Sequence, residues 1–371
     1  MCTTIYDCSL GTALVLMLFF AFYFLVGKTP DKPIYNNYIR SRRIMAVALL
    51  VLAANYSVHL FCRIRFVNLD AAILMNLSTY FLSYWLFTAA LITLLDRFYV
   101  TLRRFVFHLL GWVLFTSLSC VVLFILPKGL SRSLGLGVMA LCLLIYGINL
   151  SRRIITYHRR AVRLFDDTHA ENIAAYIQWM SIFTWWAVIY GVSCGLLTFL
   201  PSQLVSLWII SSIPFYIYLF CSYMNYLLFY EQVESILENE IQKTSDEGCA
   251  DENDMQNDAP AYHAVIEKNL SSWLAADGYT KPGLNIEELA VVLGTNRTYL
   301  SSYIKTTYHM SFREWIGGQR IEYSKQLLLS NAKITIAEVS EASGFLSLSY
   351  FIKIFTEKEN MSPSKWRKAN L

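Results

Sequence analysis

The sequence predicts an all-α protein: a seven-span transmembrane helix bundle followed by a cytoplasmic all-helical domain with two helix-turn-helix units. Three observations carry this reading. Apolar residues fill 56% of the 371 positions and charged residues only 16%. The charge balance changes twice along the chain, with 17 Lys/Arg against 7 Asp/Glu in residues 1–230, one against 10 in 231–261, and 13 against 10 in 262–371. After residue 262 the apolar residues thin to the amphipathic spacing of soluble helices, punctuated by glycine turns. Three regimes of composition imply three physical environments, and the predicted domains follow them: residues 1–230, 231–261 and 262–371.

A helix that crosses a bilayer needs roughly 20 apolar residues, because the hydrocarbon core is about 30 Å thick. Seven segments approach that length: Ser9 to Val26, Ile44 to Phe61, Ala71 to Leu95, Phe105 to Leu126, Leu134 to Leu150, Tyr176 to Leu200 and Leu204 to Phe229. The first lacks a basic leader and is followed by Lys28-Thr29-Pro30-Asp31-Lys32-Pro33, so it reads as a retained span and not a signal peptide. Orientation follows from the basic residues of the short loops, which concentrate on the cytoplasmic side. The odd loops hold 13 (Lys28, Lys32, Arg40, Arg42, Arg43, Arg97, Arg103, Arg104, Arg152, Arg153, Arg159, Arg160 and Arg163), and the even loops hold four (Arg63, Arg65, Lys128 and Arg132). The N-terminus is therefore expected outside and the C-terminal domain in the cytoplasm. The short fifth span is the weakest of the seven, and its loss would reverse the tail.

Polar groups at bilayer depth are costly, so each marks a candidate site. Asn55, His59, Asn76, Tyr80, Tyr84 and His108 are the candidates for contacting a small-molecule or membrane-derived signal; Gln178 and Asn225 are further polar positions. The alternative is that these groups bond between helices, as such residues do routinely in bundles. Paired carboxylates of the kind a proton-coupled transporter uses are missing from the predicted spans. The eight cysteines are scattered, with no C-x-x-C pair and no histidine at ligand spacing, so neither a disulfide framework nor a metal site is expected. No cofactor motif and no catalytic constellation emerges.

The last span is expected to continue as a helix through Glu231 to Ile241, with Val233, Ile236, Leu237 and Ile241 on one stripe. That stripe would serve as a short homodimer seam, although it falls far below the three or four heptads of a coiled coil. Beyond Lys243, Ser245 to Asp254 is acidic and aperiodic, a flexible linker. Its acids either keep the linker solvated or imitate phosphates and cover a basic surface.

In the tail, Val265, Ile266, Leu270, Trp273 and Leu274 line one helix. Two patterns of short helix, glycine turn and second helix follow. The first is Ile286 to Gly294 then Thr295 to Lys305, packed through Leu289, Ala290, Leu300 and Ile304, with Asn296 as N-cap. The second is Thr335 to Gly344 then Phe345 to Phe355, packed through Ile336, Val339, Ser340, Phe351, Ile354 and Phe355. A long helix through Phe312 to Leu328 joins them. Such units place their second helix in the DNA major groove.

On these residues the tail resembles the AraC-type transcriptional regulators. The matching elements are Leu289 to Gly294, Tyr299-Leu300, Ser311-Phe312, Arg320-Ile321 with Leu327-Leu328, Ala337-Glu338-Val339, Gly344-Phe345, Ser349-Tyr350-Phe351 with Phe355, and Met361-Ser362-Pro363-Ser364-Lys365-Trp366-Arg367. They recur in order over about 110 residues, and none extends into the apolar region. The resemblance implies a bacterial regulator whose two reading helices enter successive major grooves of double-stranded DNA, roughly 34 to 36 Å apart. It implies DNA contacts by Asn296, Arg297, Thr298, Ser301, Ser302 and Lys305 in the first helix. The second would offer Ser347, Leu348, Ser349, Ile352 and Lys353. Arg297, Lys305 and Lys353 would neutralise phosphates, and Thr298, Ser301 and Ser302 would bond base edges. Leu348 and Ile352 would pack either on thymine methyls or on a protein.

Departures from the family pattern include Gly317-Gly318, which would weaken the joining helix by roughly 1 kcal/mol per glycine and leave the angle between the units adjustable. Ser324 stands for a usual alanine, and Thr356 for a usual lysine. The whole reads as a multi-pass regulator of the bacterial cytoplasmic membrane, in contact with lipid and DNA and not an enzyme. The rival class is a transporter or membrane enzyme with an accessory helical tail.

Overall fold

The computed structural model describes residues 2–197, 202–247, 259–330 and 333–371. Among them there are fifteen α-helices and no named strand. The acidic stretch 248–258, on which most of the predicted flexible linker falls, lies outside the described residues, as do the side chains of Val265 and Ile241. By contacts the chain forms two units, residues 1–159 with 176–238, and residues 160–175 with 239–371.

The first unit holds α1 (Cys2–Val26), α2 (Asn36–Phe61), α3 (Ile64–Val67), α4 (Leu69–Thr93), α5 (Leu102–Phe124), most of α6 (Leu130–Thr168), α7 (Gln178–Leu197) and the first part of α8 (Ser202–Glu247). Among the described residues, six stretches are long and apolar enough to cross a membrane: Ile5–Val26, Pro33–Phe61, Leu102–Phe124, Leu130–Thr168, Ile173–Tyr190 and Leu204–Leu237. The expected third span is not among these six. It is α4, a 25-residue helix packed against both α2 and α5. Its apolar character is diluted by polar side chains that it keeps inside, Asn76, Ser83 and Thr88 all being buried. The other faces of the bundle are oily: Val15, Phe22, Phe107, Leu114 and Ile189 are all 60% or more exposed. Aromatic stacking organises the interior, with Phe20 on Phe220 at 4.5 Å and Phe81 on Tyr146 at 4.0 Å.

Two expectations for this region change. The basic stretch after the fifth span is not a loop, because α6 runs unbroken for 39 residues. The reason lies in Leu150, Ile154, Ala161 and Phe165, which continue a buried stripe at helical spacing through the arginines. The predicted dimer seam changes as well: Val233 and Leu237 are buried in the single chain, and Ile236 on the same stripe is half-buried.

The second unit contains α9 (Ala259–Ala275), α10 (Ile286–Val292), α11 (Arg297–Tyr308), α12 (Phe312–Ser330), α13 (Ile336–Ala342), α14 (Leu348–Glu359) and α15 (Pro363–Asn370). It has two small cores. One gathers Ile266, Leu270, Leu289, Leu300 and Ile304 around Phe312, Trp315 and Ile316. The other gathers Val339, Phe345, Phe351 and Phe355 around Ile321 and Leu328. One helix, α12, thus supplies its first half to one core and its second half to the other. It passes through Gly317-Gly318 without a break. Just beyond them, the Arg320 side chain is 1% exposed, with Nε donating to the Tyr279 carbonyl and Nη2 to the Lys281 carbonyl, each at 2.8 Å. Those bonds tie the spine to the 279–281 turn, against which Gly344 also presses. Ser324, the departure from alanine, is fully buried and returns its hydroxyl to the Ile321 carbonyl at 2.7 Å.

Candidate nucleic-acid interface

Each reading helix is positioned by the same local chemistry. In the first unit Asn285 caps α10, accepting from Glu288 N at 2.8 Å. Gly294 then takes φ +68°, a conformation costing a side-chain-bearing residue about 1–2 kcal/mol. Thr295 N donates to Ala290 O at 2.9 Å and Gly294 N to Val291 O at 3.1 Å, closing the helix end. In the second unit Thr335 and Glu338 form a reciprocal capping box on α13. The Thr335 N–H and hydroxyl bind the Glu338 carboxylate and hold it below the usual carboxylate range. Gly344 takes φ +84°, and Phe345 N and Gly344 N repeat the pair of closing bonds, to Ser340 O and Glu341 O at 3.0 and 2.9 Å.

These frames turn opposite faces of α11 in and out. Leu300, Tyr303 and Ile304 are buried. Thr298, Ser302 and Lys305 stand exposed, and Arg297 and Ser301 half-buried, on the outer side. The set is one face, spaced one turn apart. On α14, Phe351 and Phe355 are buried, while Ser349 and Lys353 are exposed beside Leu348 and Ile352, which remain 42% and 37% exposed.

Two of the eleven sequence-predicted residues have another task in the structure. Asn296 accepts from Tyr299 N at 2.9 Å and Ser347 from Tyr350 N at 3.3 Å, so both side chains cap their helices. Each side chain therefore sets the start of its helix. The cations are not bare either. Arg297 lies 3.9 Å from Glu287, Lys353 lies 3.9 Å from Glu357, and Lys305 makes a 2.6 Å ion pair with Asp167. Thr356, where a lysine is usual, bonds the Ile352 carbonyl of its own helix at 2.7 Å.

The residues missed from sequence are Arg320, which is read there only as a motif letter, and the strip 160–175. Three of the seven acids that precede residue 231 fall in that strip, as Asp166, Asp167 and Glu171. An acidic cluster directly after a run of arginines was the available signal.

In the first unit the polar candidates are joined to one another. Asn76 Oδ1 accepts from Asn55 Nδ2 at 3.1 Å and lies 3.0 Å from His59 Nε2, while His108 Nδ1 lies 2.9 Å from the Tyr146 hydroxyl. Those four bond between helices. Tyr80 and Tyr84 instead line a cavity of about 110 Å³, together with Phe87, Phe183 and the buried Ser83. No group of three or more metal-binding side chains occurs among the described residues.

Two tandem helix-turn-helix units on a shared spine, with polar and cationic outer faces, define the architecture of a DNA-binding regulator. Residues 289–369 match the family described as "Helix-turn-helix domain", and this C-terminal region is a helix-turn-helix domain of the AraC type. Similar proteins include the Msm operon regulatory protein of Streptococcus mutans serotype c, 36% identical over 85 residues, which are 23% of this chain and 30% of that protein. The virulence regulon transcriptional activator VirF of Yersinia enterocolitica is 34% identical over 85 residues, 23% of this chain and 31% of VirF. A 75-residue stretch is 39% identical to histidine kinase P4 of Formosa agariphila, covering 20% of this chain and 5% of the kinase. The chain spans only about a third of the first two, so the likeness concerns the C-terminal domain alone. No solved structure gives a significant match.

Proposed function

We propose that the protein is a membrane-embedded, sequence-specific transcription regulator in which one chain carries both the input and the DNA-reading domain. The observation that carries this is the pair of equally built helix-turn-helix units held on one rigid spine, each with its reading face outward. Arg297, Lys305 and Lys353 bind phosphates and set register, and Thr298, Ser301 and Ser302 reach base edges. Ser349, Leu348 and Ile352 form the second reading face, the last two packing on thymine methyls. That two of the relatives named above, the Msm operon regulatory protein and the activator VirF, are regulators by their printed names supports the reading.

The apolar unit anchors the chain in the bacterial cytoplasmic membrane, with α4 as a seventh span enclosed by its neighbours. An odd number of spans and the 13-to-4 loop charge bias both deliver the C-terminal domain to the cytoplasm. The cavity beside Tyr80 and Tyr84 accepts a small apolar signal. Footprinting with the full chain in lipid nanodiscs tests the central claim, and absence of sequence-preferring protection on any duplex would refute it. Reporter fusions after residue 245 test the topology, since an external signal there contradicts it.

A further inference from the structure

The strip between α6 and α7 is part of the DNA-reading unit. Ala170 is 2% exposed within the first core, and its N–H donates to the Leu284 carbonyl at 3.1 Å. His169 pairs with Asn285, the residue that caps α10. Around this backbone anchor stand three charge pairs. Asp167 meets Lys305 at 2.6 Å, Asp166 meets Arg313 at 2.9 Å, and Glu171 meets the buried Arg320 at 3.0 Å. Asn172 adds a 3.0 Å acceptor for Arg313.

The three pairs are not equivalent. Glu171 completes a buried guanidinium and belongs to the fold. Lys305, by contrast, is 52% exposed on the outer face of α11, at the end of the row Thr298, Ser301, Ser302. A carboxylate held there offers the lysine the same chemistry as a phosphate oxygen, at a place where a duplex laid along α11 would bring one. Asp166 and Asp167 also sit on the last turn of α6, a helix continuous from Leu130, so any shift of α6 moves them directly.

We propose that residues 160–175 are the docking strip through which the apolar part of the chain controls DNA binding, with Asp167 and duplex phosphate competing for Lys305. In the docked state Asp167 neutralises the reading-face cation and sets a negative charge beside the groove. When the Asp167 end of the strip swings away, with Ala170 and Glu171 kept in place, Lys305 is released and the repulsion goes with it. This rests on the DNA-binding reading and names how that same surface is regulated.

The test uses the full chain in nanodiscs and a fluorescent duplex selected on that chain from a random pool. Asp167→Asn is expected to bind it about two- to fivefold tighter than wild type, the range an exposed ion pair spans. D167E should behave as wild type, and D167N should add nothing in a Lys305→Ala background. Amide exchange of residues 166–169 should be slow without DNA and faster with saturating duplex, a readout that needs no variant. Unchanged affinity in D167N, or unchanged protection under saturating duplex, overturns the competition. If no duplex is selected by any of these chains, the DNA reading itself fails, and slow exchange at 166–169 would then report a purely structural contact.

Discussion

In the first helix-turn-helix unit the Gly294 turn faces open space, whereas in the second the Gly344 turn lies directly on the backbone of Thr280. The two turns share positive φ, the same pair of closing bonds and a polar cap on the helix that follows. Their surroundings differ throughout. The first unit builds Ala170 into its core and pairs Lys305 with Asp167, and its reading face is polar. The second is clamped through Gly344 and Arg320 to the 279–281 turn, and its reading face carries Leu348 and Ile352. The backbone device is thus local, and what a turn tolerates is decided by what it is pressed against.

The clamp is the sharpest way to break this asymmetry. Arg320→Leu leaves Glu171 and two carbonyls without their partner, and losing one side of a buried pair costs about 3–5 kcal/mol. Thermal unfolding of the full chain, followed by exchange in α13 and α14, should show that loss. Gly344→Ala comes next. It forces a side chain into positive φ and drives its methyl into the Thr280 carbonyl, so a cost above about 2 kcal/mol is expected. Gly294→Ala meets nothing within 4 Å and should cost only about 1–2 kcal/mol from backbone strain. Equal losses at the two glycines would refute the clamp.

On the reading faces, Leu348→Ser and Ile352→Ser should each weaken DNA binding by about 1 kcal/mol, of the order of one or two buried CH2 groups. The loss should be confined to sites with thymine at the contacted step. Unchanged affinity alongside lost transcription would reassign these residues to a protein contact. Smaller still, Gly317→Ala should stabilise the unit by up to about 1 kcal/mol, because its methyl meets no atom within 4 Å and the helix is continuous there. A hinge at that position would instead show as altered DNA spacing with no gain in stability.

The first unit should also respond to pH through His169. Burial lowers its pKa to about 4, with Glu287 and Glu288 opposing that shift and Arg297 reinforcing it. The unfolded strip takes up its proton near 6.5 and the docked strip only near 4. Docking is therefore fully supported above pH 6.5 and weakens as pH falls towards 4. Protection of the Ala170 amide should decline over that window, and His169→Gln should flatten the decline.

Much of this was legible along the chain because the relevant physics is short-ranged. Helical spacing of Leu289, Leu300, Phe351 and Phe355, caps at Asn296 and Thr335, and glycines at the two turns are dictated by neighbours within a few residues. The apolar helices follow from composition in the same way. The number of spans was harder to read, since α4 dilutes its own apolarity with Asn76, Ser83 and Thr88, which are buried in a helix packed against α2 and α5.

What only the tertiary structure decided are the pairings across long separations. Arg320 ties α12, just beyond Gly317-Gly318, to the 279–281 turn. Val233 and Leu237 are buried within the single chain. Asp167 reaches Lys305 across 138 residues, and no periodicity or local propensity encodes which carboxylate a lysine will meet. The chain by itself determined its helices, their caps and the two reading faces. The fold decided which of those faces is held by another part of the same chain, because ion pairs and core contacts depend on distance in space, and sequence spacing does not carry that distance.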